Sequence, residues 1–564
     1  MRLVNFHIKL SKLFPALALC LILAAGQAWA TTYYMRADGS AANKAAATSC
    51  SAAATAMSVA THNGETFSAG DIITLCDSGG EFRTTILVPS SGDSGNVITY
   101  TASGTPVISS STTITGWGGG PVYTKAIATN VNGVYEDTVQ LQKATTTACV
   151  DGNWILNGGT LYYKPTSGVA TDHTVVYNDP DYGSGFYVSG KSYITINGLT
   201  FRNNWYGVYV NGTSNSITYT NNSFVSCLQG IVHWTTANTS GHLVNLNYFY
   251  RCSLGASFLV TSGVPTYTNI TVSNNNFIDI GTVDGTVTWS TITNAEKDLE
   301  SVSGQNLKDS TVTSNTMTGG NNTPVYFYSI NGVVLSNNTI SRNYVNTSAH
   351  TYSGIRLAGD ATGGHIGTII RNNIINNGGT FSIALKQSSN SNAQNFIYNN
   401  TIYGGNTGIK IQSVTEAPNY WTVKNNIIYG NSGSNAYIDP AYEATIIFDY
   451  NLYGSVTGDI FATFSGVESW TAWKAHGLDS HSISGNPLLT SDYRLSAGSP
   501  AIDAGAPVFT AAQWLANGDA AGNHYVFGAG PDIGAYEKKK FIFDEDDMLP
   551  KKCKSTNSAC YVQP

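Results

Sequence analysis

Charge is scarce in this 564-residue chain, with Asp, Glu, Lys and Arg together at only 11%. That excludes the highly charged composition of disordered chains and the Ala/Glu/Lys/Leu-rich composition of coiled coils. Helix-length apolar periodicity is missing as well, which argues against a helical bundle. Basic residues are outnumbered, 28 against 35, so nucleic acid is not expected as a partner. The eight cysteines have spacings that match no metal motif. What the chain has instead is glycine (58) and tyrosine (33), a profile that suits β-structure with many tight turns.

The N-terminus reads as a secretory signal over residues 1–30. Arg2, Lys9 and Lys12 precede an apolar stretch from Leu13 to Ala25, and Ala28-Trp29-Ala30 supplies a small-x-small cleavage site. About 13 apolar residues are too few to span a bilayer, and Cys20 sits inside the run, which argues against a lipoprotein signal. No second apolar run follows. The mature chain is therefore expected to be exported, extracellular or periplasmic, without a membrane span and monomeric. Cleavage would remove three basic residues and one cysteine. Of the seven cysteines left, Cys50 with Cys76 and Cys553 with Cys560 are plausible disulfides in an oxidising compartment. Cys227 and Cys252 should stack on adjacent coils, either bridged or as two free thiols.

The strongest internal signal is an asparagine that recurs two residues before an apolar residue. The pairs are Asn222/Phe224, Asn247/Phe249, Asn275/Phe277, Asn315/Met317, Asn338/Ile340, Asn373/Ile375, Asn400/Ile402, Asn426/Ile428 and Asn451/Tyr453. Phe201 fits one step earlier, with Leu199 in place of the asparagine. A period near 25 residues, built from short β-branched runs, predicts a solenoid of β-coils. Asparagines at one corner would stack about 4.8 Å apart and pair their amides along the axis.

The organisation follows from that ruler. Residues 31–118 read as an N-terminal cap and first coils, with a helical turn near Ala52–Ala60 covering the open end. Residues 119–190 break the period and read as an irregular, strand-rich segment. Regular coils occupy 191–455, a closing segment 456–537, and a charged tail 538–564. The stretches YYMRADG (33–39), GDIITL (70–75), NGLTF (197–201), NNTI (337–340 and 399–402), NPLLTSDYRLSAGSPAIDAG (486–505) and PDIGAYE (531–537) resemble secreted proteins of the pectate-lyase-like superfamily. The resemblance covers nearly all of the mature chain. It implies an all-β fold, a right-handed parallel β-helix of roughly a dozen coils with an N-terminal cap and a C-terminal closing segment. It does not choose an activity, because the scaffold carries lyases, hydrolases, epimerases and adhesins.

A further strand begins some six residues after each apolar anchor. Alternation places Val208, Ile231, Val325, Ile355, Ile383 and Ile409 inside, and Tyr209, Val232, Tyr326, Arg356, Ala384 and Lys410 outside in one column. Asn211, Trp234, Tyr328, Ala358, Lys386 and Gln412 form a second outward column. Arg356, Lys386 and Lys410 thus fall on three successive coils beside Tyr326 and Tyr328. Cations pair with carboxylates and rings stack on sugar faces, so this patch suits an acidic polysaccharide. The two longest steps flank it, with extra residues around Thr282–Ser303 and Asn343–Gly364, where solenoid insertions become loops on one face. Counting back from Met317 points Leu299 inward and places Glu300 in the Tyr326–Arg356 column. Glu296, Asp298 and Glu300 are candidate oxygen ligands for Ca²⁺, against an ordinary solvated charge cluster.

The expected chemistry is β-elimination on a uronate. It needs a neutralised carboxylate, a base for the adjacent C–H proton and departure of the 4-O-linked sugar. Lys386 is the first candidate base, Lys410 the second, and Arg356 the carboxylate binder; Tyr326, Tyr328, Trp234 and His350 are candidate sugar contacts. Solvated surface charge is the competing reading of the three cations. His233 leans inward and reads as structural. Glycoside hydrolysis needs paired carboxylates and is disfavoured because the asparagine–aspartate and paired-aspartate signatures of β-helix polygalacturonases are absent from the coils; the adjacent Asp546 and Asp547 lie in the tail. A C5-epimerase would use much the same residues as a lyase. A non-catalytic carbohydrate-binding surface protein or adhesin is the alternative from another class.

Overall fold

The computed structural model describes residues 30–538, apart from 129–130, 132, 138, 179–182, 261–265, 282–299, 321–322, 342–352, 360–364, 388–393, 414–419, 440–444, 455–458, 464–465, 509–517, 522 and 524–527. The expected signal segment up to Trp29 and the tail beyond Lys538, with Cys553 and Cys560, lie outside the described residues. Each coil lays down three short strands, one for each of three long sheets of 13, 12 and 13 strands. One coil runs Ile194–Asn197, Thr200–Arg202 and Tyr206–Asn211. The next runs Ile217–Thr220, Ser223–Val225 and Gln229–Thr235. They pair in parallel and in register, Ile196 with Tyr219, Phe201 with Phe224 and Val208 with Ile231. Among the described strands of these three sheets, only Gly466–Ser469 at the end of the third is antiparallel to its neighbour.

The apolar anchors fill the centre. The rings of Phe201, Phe224, Phe249 and Phe277 stack at centroid separations of 4.8, 4.7 and 4.6 Å, and Met317, Ile340, Ile375, Ile402, Ile428 and Tyr453 continue the buried column. The chain enters the third sheet through Gly230 in one such coil. A Cβ there would stand 2.7 Å from the Phe249 ring, so the ring stack requires the glycine.

The amide ladder runs unbroken from Asn222 to Asn451. Each Nδ2 donates to the next Oδ1 at 2.9–3.0 Å. Each Oδ1 also accepts the backbone N–H of the preceding ladder residue, as Asn247 does from Asn222 (3.0 Å). The residue just before each ladder asparagine is left-handed: Asn221, Leu246, Asn274, Ser314, Asn337, Asn372, Asn399, Asn425 and Tyr450 have φ of 54–58°. Gly198 holds that place before Leu199. The recurrent Asn-Asn pair thus has two jobs. The first tolerates the left-handed bend between sheets, and the second satisfies buried backbone donors along the axis.

The first asparagines do more at the C-terminal end. Asn372 donates to Gly518 O (2.7 Å), Asn399 to Asp532 O (3.3 Å), and Asn425 exchanges hydrogen bonds with the Ala506 backbone (2.7 and 2.9 Å). The closing segment is therefore folded back over three coils at one corner.

At the other end, Ser58 caps a short helix, Val59–Asn63, and a Cys50–Cys76 disulfide ties the cap to the strand Ile72–Cys76. Cys227 and Cys252 are not bridged. Both are buried free thiols, and each Sγ donates to the carbonyl of the apolar anchor one coil back, Phe201 and Phe224, at 3.6 Å.

Residues 111–178 leave the solenoid as two small sheets with their own core around Val134, Trp154, Leu161 and Val175. The departure follows Val107–Ile108 of the second sheet, and the return is Ser184–Ser189 of the third. The later insertions use the same connection, between Asn276–Ile278 and Val302–Gln305 and between Thr339–Ser341 and Ser353–Ala358. The first excursion therefore borders the edge where chains enter the third sheet.

Candidate functional site on the third sheet

Pairing in the third sheet defines the outward column residue by residue. It runs Tyr187, Tyr209, Val232, Ser257, Ser303, Tyr326, Arg356, Ala384, Lys410, Tyr437 and Ala462. The inward partners Val208, Ile231, Val325, Ile355, Ile383 and Ile409 are buried, as alternation requires. Arg356, Lys386 and Lys410 do fall on successive coils. Arg356 and Lys410 share this column with Ala384 between them. Lys386 stands in the neighbouring one, which runs Tyr328, Ala358, Lys386 and Gln412.

The two cations in the first column lie against rings. The Arg356 guanidinium is 5.1 Å from the Tyr326 ring centre, and Tyr326 meets Tyr328 edge to face at 6.3 Å. Lys410 Nζ lies 4.4 Å from the Phe381 ring and 5.1 Å from the Tyr437 ring. Lys410 is half-buried, whereas Lys386 is exposed. Burial lowers the pKa of Lys410, while the ring faces favour its charged form. The small side chain of Ala384 stands between the two cations in the column.

The other half of this face is aromatic. Tyr187 and Tyr209 are 5.5 Å apart, Tyr206 stacks on Tyr209 at 4.7 Å, and Trp234 meets Tyr209 at 6.4 Å. Trp234 is 37% exposed. It belongs to the second column through Asn211 and Leu259, but three coils before Tyr328, so it is a separate contact point and not part of the cationic patch. Between the two halves the face is closed: Val232, Ser257, Ser303 and Tyr326 are buried, and Ser257 and Ser303 hydrogen-bond each other at 2.7 Å.

Glu300 departs from its expected place. Ser303, not Glu300, occupies the Tyr326 column, and Val302 is the inward residue paired with Val325. Glu300 is buried, and its carbonyl accepts the Gly255 N–H at 2.9 Å. The count from Met317 slipped by three because a turn between sheets has no fixed length. Glu296, Asp298, Leu299 and His350 lie outside the described residues. His233 is buried, with Nε2 2.8 Å from the Tyr219 hydroxyl. Sequence reasoning missed Phe381 and Tyr437; extending the column one coil past Lys410 would have found Tyr437.

Among the described residues, one carboxylate–imidazole group is compact enough to share an ion: Glu136, Asp137 and His173. Its atoms are already engaged. His173 Nδ1 donates to Asp137 (2.6 Å) and Nε2 to Ser167 O (2.8 Å), and both partners are acceptors. Facing two acceptors favours the doubly protonated ring, and its pKa is raised, chiefly by the hydrogen bond to Asp137. Glu136 accepts the Tyr163 and Thr166 hydroxyls. The group is an ion-paired brace within the excursion.

Among the described residues, no helix is long and apolar enough to cross a membrane. Residues 137–296 match the family model described as a right-handed β-helix region. No curated protein matches the chain. Among solved structures, XylC in complex with xylose is 12% identical, with 82% of this chain and 87% of that one covered at a TM-score of 0.53. A GH136 lacto-N-biosidase from Eubacterium ramulus is also 12% identical, with 84% and 70% covered at 0.43. Pectate lyase Pel9A is 15% identical, with 92% and 98% covered at 0.40. Three stacked parallel sheets, the matched region and the first of these likenesses agree on the architecture: the chain is a right-handed parallel β-helix.

Proposed function

We propose that the third-sheet face binds an acidic polysaccharide and cleaves it by β-elimination. The observation that carries this reading is the Tyr326–Arg356–Ala384–Lys410–Tyr437 column, two ring-backed cations separated by one small residue on a partly open sheet face. Arg356 pairs with the uronate carboxylate and draws charge from it, which acidifies the C5 proton. Lys410 removes that proton when its amine is neutral. The C5–H electron pair forms the C4–C5 double bond, the C4–O bond breaks, and the leaving sugar oxygen takes up a proton from solvent. Half-burial gives Lys410 the advantage over the exposed Lys386 as base; Lys386 serves as a second carboxylate contact one column away. The aromatic half, Tyr187, Tyr209 and Trp234, supports sugars further along the chain. Glu296, Asp298 and Glu300 are the candidate ligands should the reaction draw on Ca²⁺. Export to the cell exterior or periplasm fits such a substrate.

A second reading has its own observation. Both cations are held against rings, which favours permanent charge and suits a non-catalytic carbohydrate-binding surface. One experiment separates the two. The mature protein is incubated with polygalacturonate, alginate and glycosaminoglycans, with and without Ca²⁺, and ultraviolet absorbance of unsaturated uronate is followed. Absorbance growth that Arg356→Ala abolishes supports the lyase. Retention on these polymers without absorbance supports the binder. Neither signal on any polymer rejects both.

A further inference from the structure

The outward column of the second sheet ends in two tyrosines on consecutive coils, Tyr403 paired with Tyr429. Their rings lie 5.5 Å apart with planes 25° from parallel, and Tyr403 is 38% exposed. The closing segment passes opposite them and brings Tyr493 to 5.9 Å from Tyr403. Together they enclose a cleft of about 670 Å³ whose lining includes Leu488, Asn486 and Ser491. Among the described residues, no Asp, Glu, Lys or Arg lines it. Arg494, next to Tyr493 in the chain, is engaged elsewhere: it pairs with Asp492 at 2.8 Å and covers the Tyr536 ring at 4.3 Å.

The cleft is built, not incidental. The Thr490 N–H donates to Arg494 O at 2.8 Å, the Arg494 N–H donates to Thr490 Oγ1 at 3.0 Å, and the Tyr493 N–H returns to Thr490 O at 3.0 Å, so the wall is a closed turn. Leu488 and Tyr493 sit in the left-handed region, at φ of 49° and 61°. Bulky residues adopt it only where surrounding structure compels them, as Leu246 and Tyr450 do at the bends between sheets. The rings have room because the coils carry glycine beside them. A Cβ at Gly454 would fall 2.0 Å from Tyr429 Cδ2, and one at Gly430 would fall 3.2 Å from Tyr403 Cε2.

We infer that this cleft is a second carbohydrate site, specific for a neutral glycan of pyranose units and separate from the cationic face. The exposed edges of the stacked Tyr403–Tyr429 pair and the tilted Tyr493 ring meet the C–H groups of the sugars, while the Asn486 amide and the Ser491 and tyrosine hydroxyls meet ring hydroxyls. A uronate would find no cation here, and a hydrophobic peptide would leave the polar rim unpaired. The site lies on a different sheet from Arg356 and Lys410, so it does not depend on what that face does.

Isothermal titration of the mature protein with cellohexaose, mannohexaose, laminarihexaose and maltohexaose tests this. At least one should bind. Tyr403→Ala should weaken it about tenfold or more, Tyr403→Phe should keep most of the affinity, and Arg356→Ala should leave it unchanged. Gly454→Ala, which displaces the Tyr429 ring without deleting it, should weaken binding too. The thermal midpoint of each variant checks that it folds, and a binding-competent Tyr403→Phe protein serves as the folded reference. Absence of binding to all four hexaoses, affinity that survives Tyr403→Ala, or equal loss in Arg356→Ala would overturn the inference.

Discussion

Asn451 Nδ2 donates to Asp479 Oδ1 at 3.1 Å, and with that bond the amide ladder ends on a carboxylate. Asp479 is fully buried and accepts also from Tyr453 (2.8 Å), Trp473 Nε1 (2.7 Å) and the Ser482 hydroxyl. A stack of amides always leaves one donor over at its end. A carboxylate, which only accepts, is the chemical complement to that remainder.

Asp479→Ala should therefore take this acceptor from four donors, three of them buried, and cost about 3 kcal/mol or more. Asp479→Asn keeps one acceptor oxygen and should cost less. Because a solenoid loses stability locally, the measurement is hydrogen exchange. Protection should fall at Leu452–Tyr453 and Ile446–Asp449 and stay at Ile194–Asn197. Uniform loss along the chain would contradict the end-cap role.

The two asparagines of each pair should fail differently. Asn426→Ala breaks the ladder, leaving Asn400 Nδ2 and the Asn400 N–H without their acceptor, and should lower the unfolding midpoint. Asn425→Gly keeps the left-handed bend but loses both bonds to Ala506. It should leave the coils intact and expose the closing segment to limited proteolysis between residues 486 and 538. Equal proteolysis in both variants would mean that Asn425 does not hold that segment.

These pairs also show how far the sequence could be read. The ladder residue was legible because its period is the coil itself, and the period gave the fold and the Arg356–Lys410 column. The preceding asparagine was not, since its bond to Ala506 spans 81 residues and no local pattern announces it. Glu300 was misplaced inside the step of 40 residues between Asn275 and Asn315, where an insertion removes the only ruler. The burial that distinguishes Lys410 from Lys386 comes partly from Phe381, a residue at the start of the preceding coil's strand whose ring direction alternation does not specify.

Acid should weaken the fold through its buried histidines. Burial holds His62 and His365 at about 4 and His242 at about 3, and pushes His233 well below its ordinary value of 6.5. Below pH 6.5 the unfolded chain binds protons that the folded chain refuses, so stability falls as pH drops towards 4, by up to about 1.4 kcal/mol per unit for each histidine. His173 acts oppositely: its pKa is raised by Asp137, so its contribution is present below 6.5 and lost as pH rises through the raised value. Urea unfolding from pH 7.5 to 4.5 measures the sum. His242→Phe, which also removes a buried Nε2 without a hydrogen-bond partner, should flatten the slope by up to one proton. An unchanged slope would exclude His242 from the effect.

The proposed base makes a pH prediction of its own. Lys410 must be neutral to take the C5 proton, and burial lowers its pKa from 10.5. The kcat/KM of wild type on a responsive polymer should therefore climb with pH and level off below that value. Lys410→Arg keeps the positive charge between Phe381 and Tyr437 but cannot lose its proton in this range. It should retain polymer binding and lose turnover by about 100-fold or more. Lys386→Ala should keep the alkaline limb and raise KM. If Lys410→Arg keeps the wild-type profile while Lys386→Ala abolishes turnover, the base is Lys386 and burial is not what selects it.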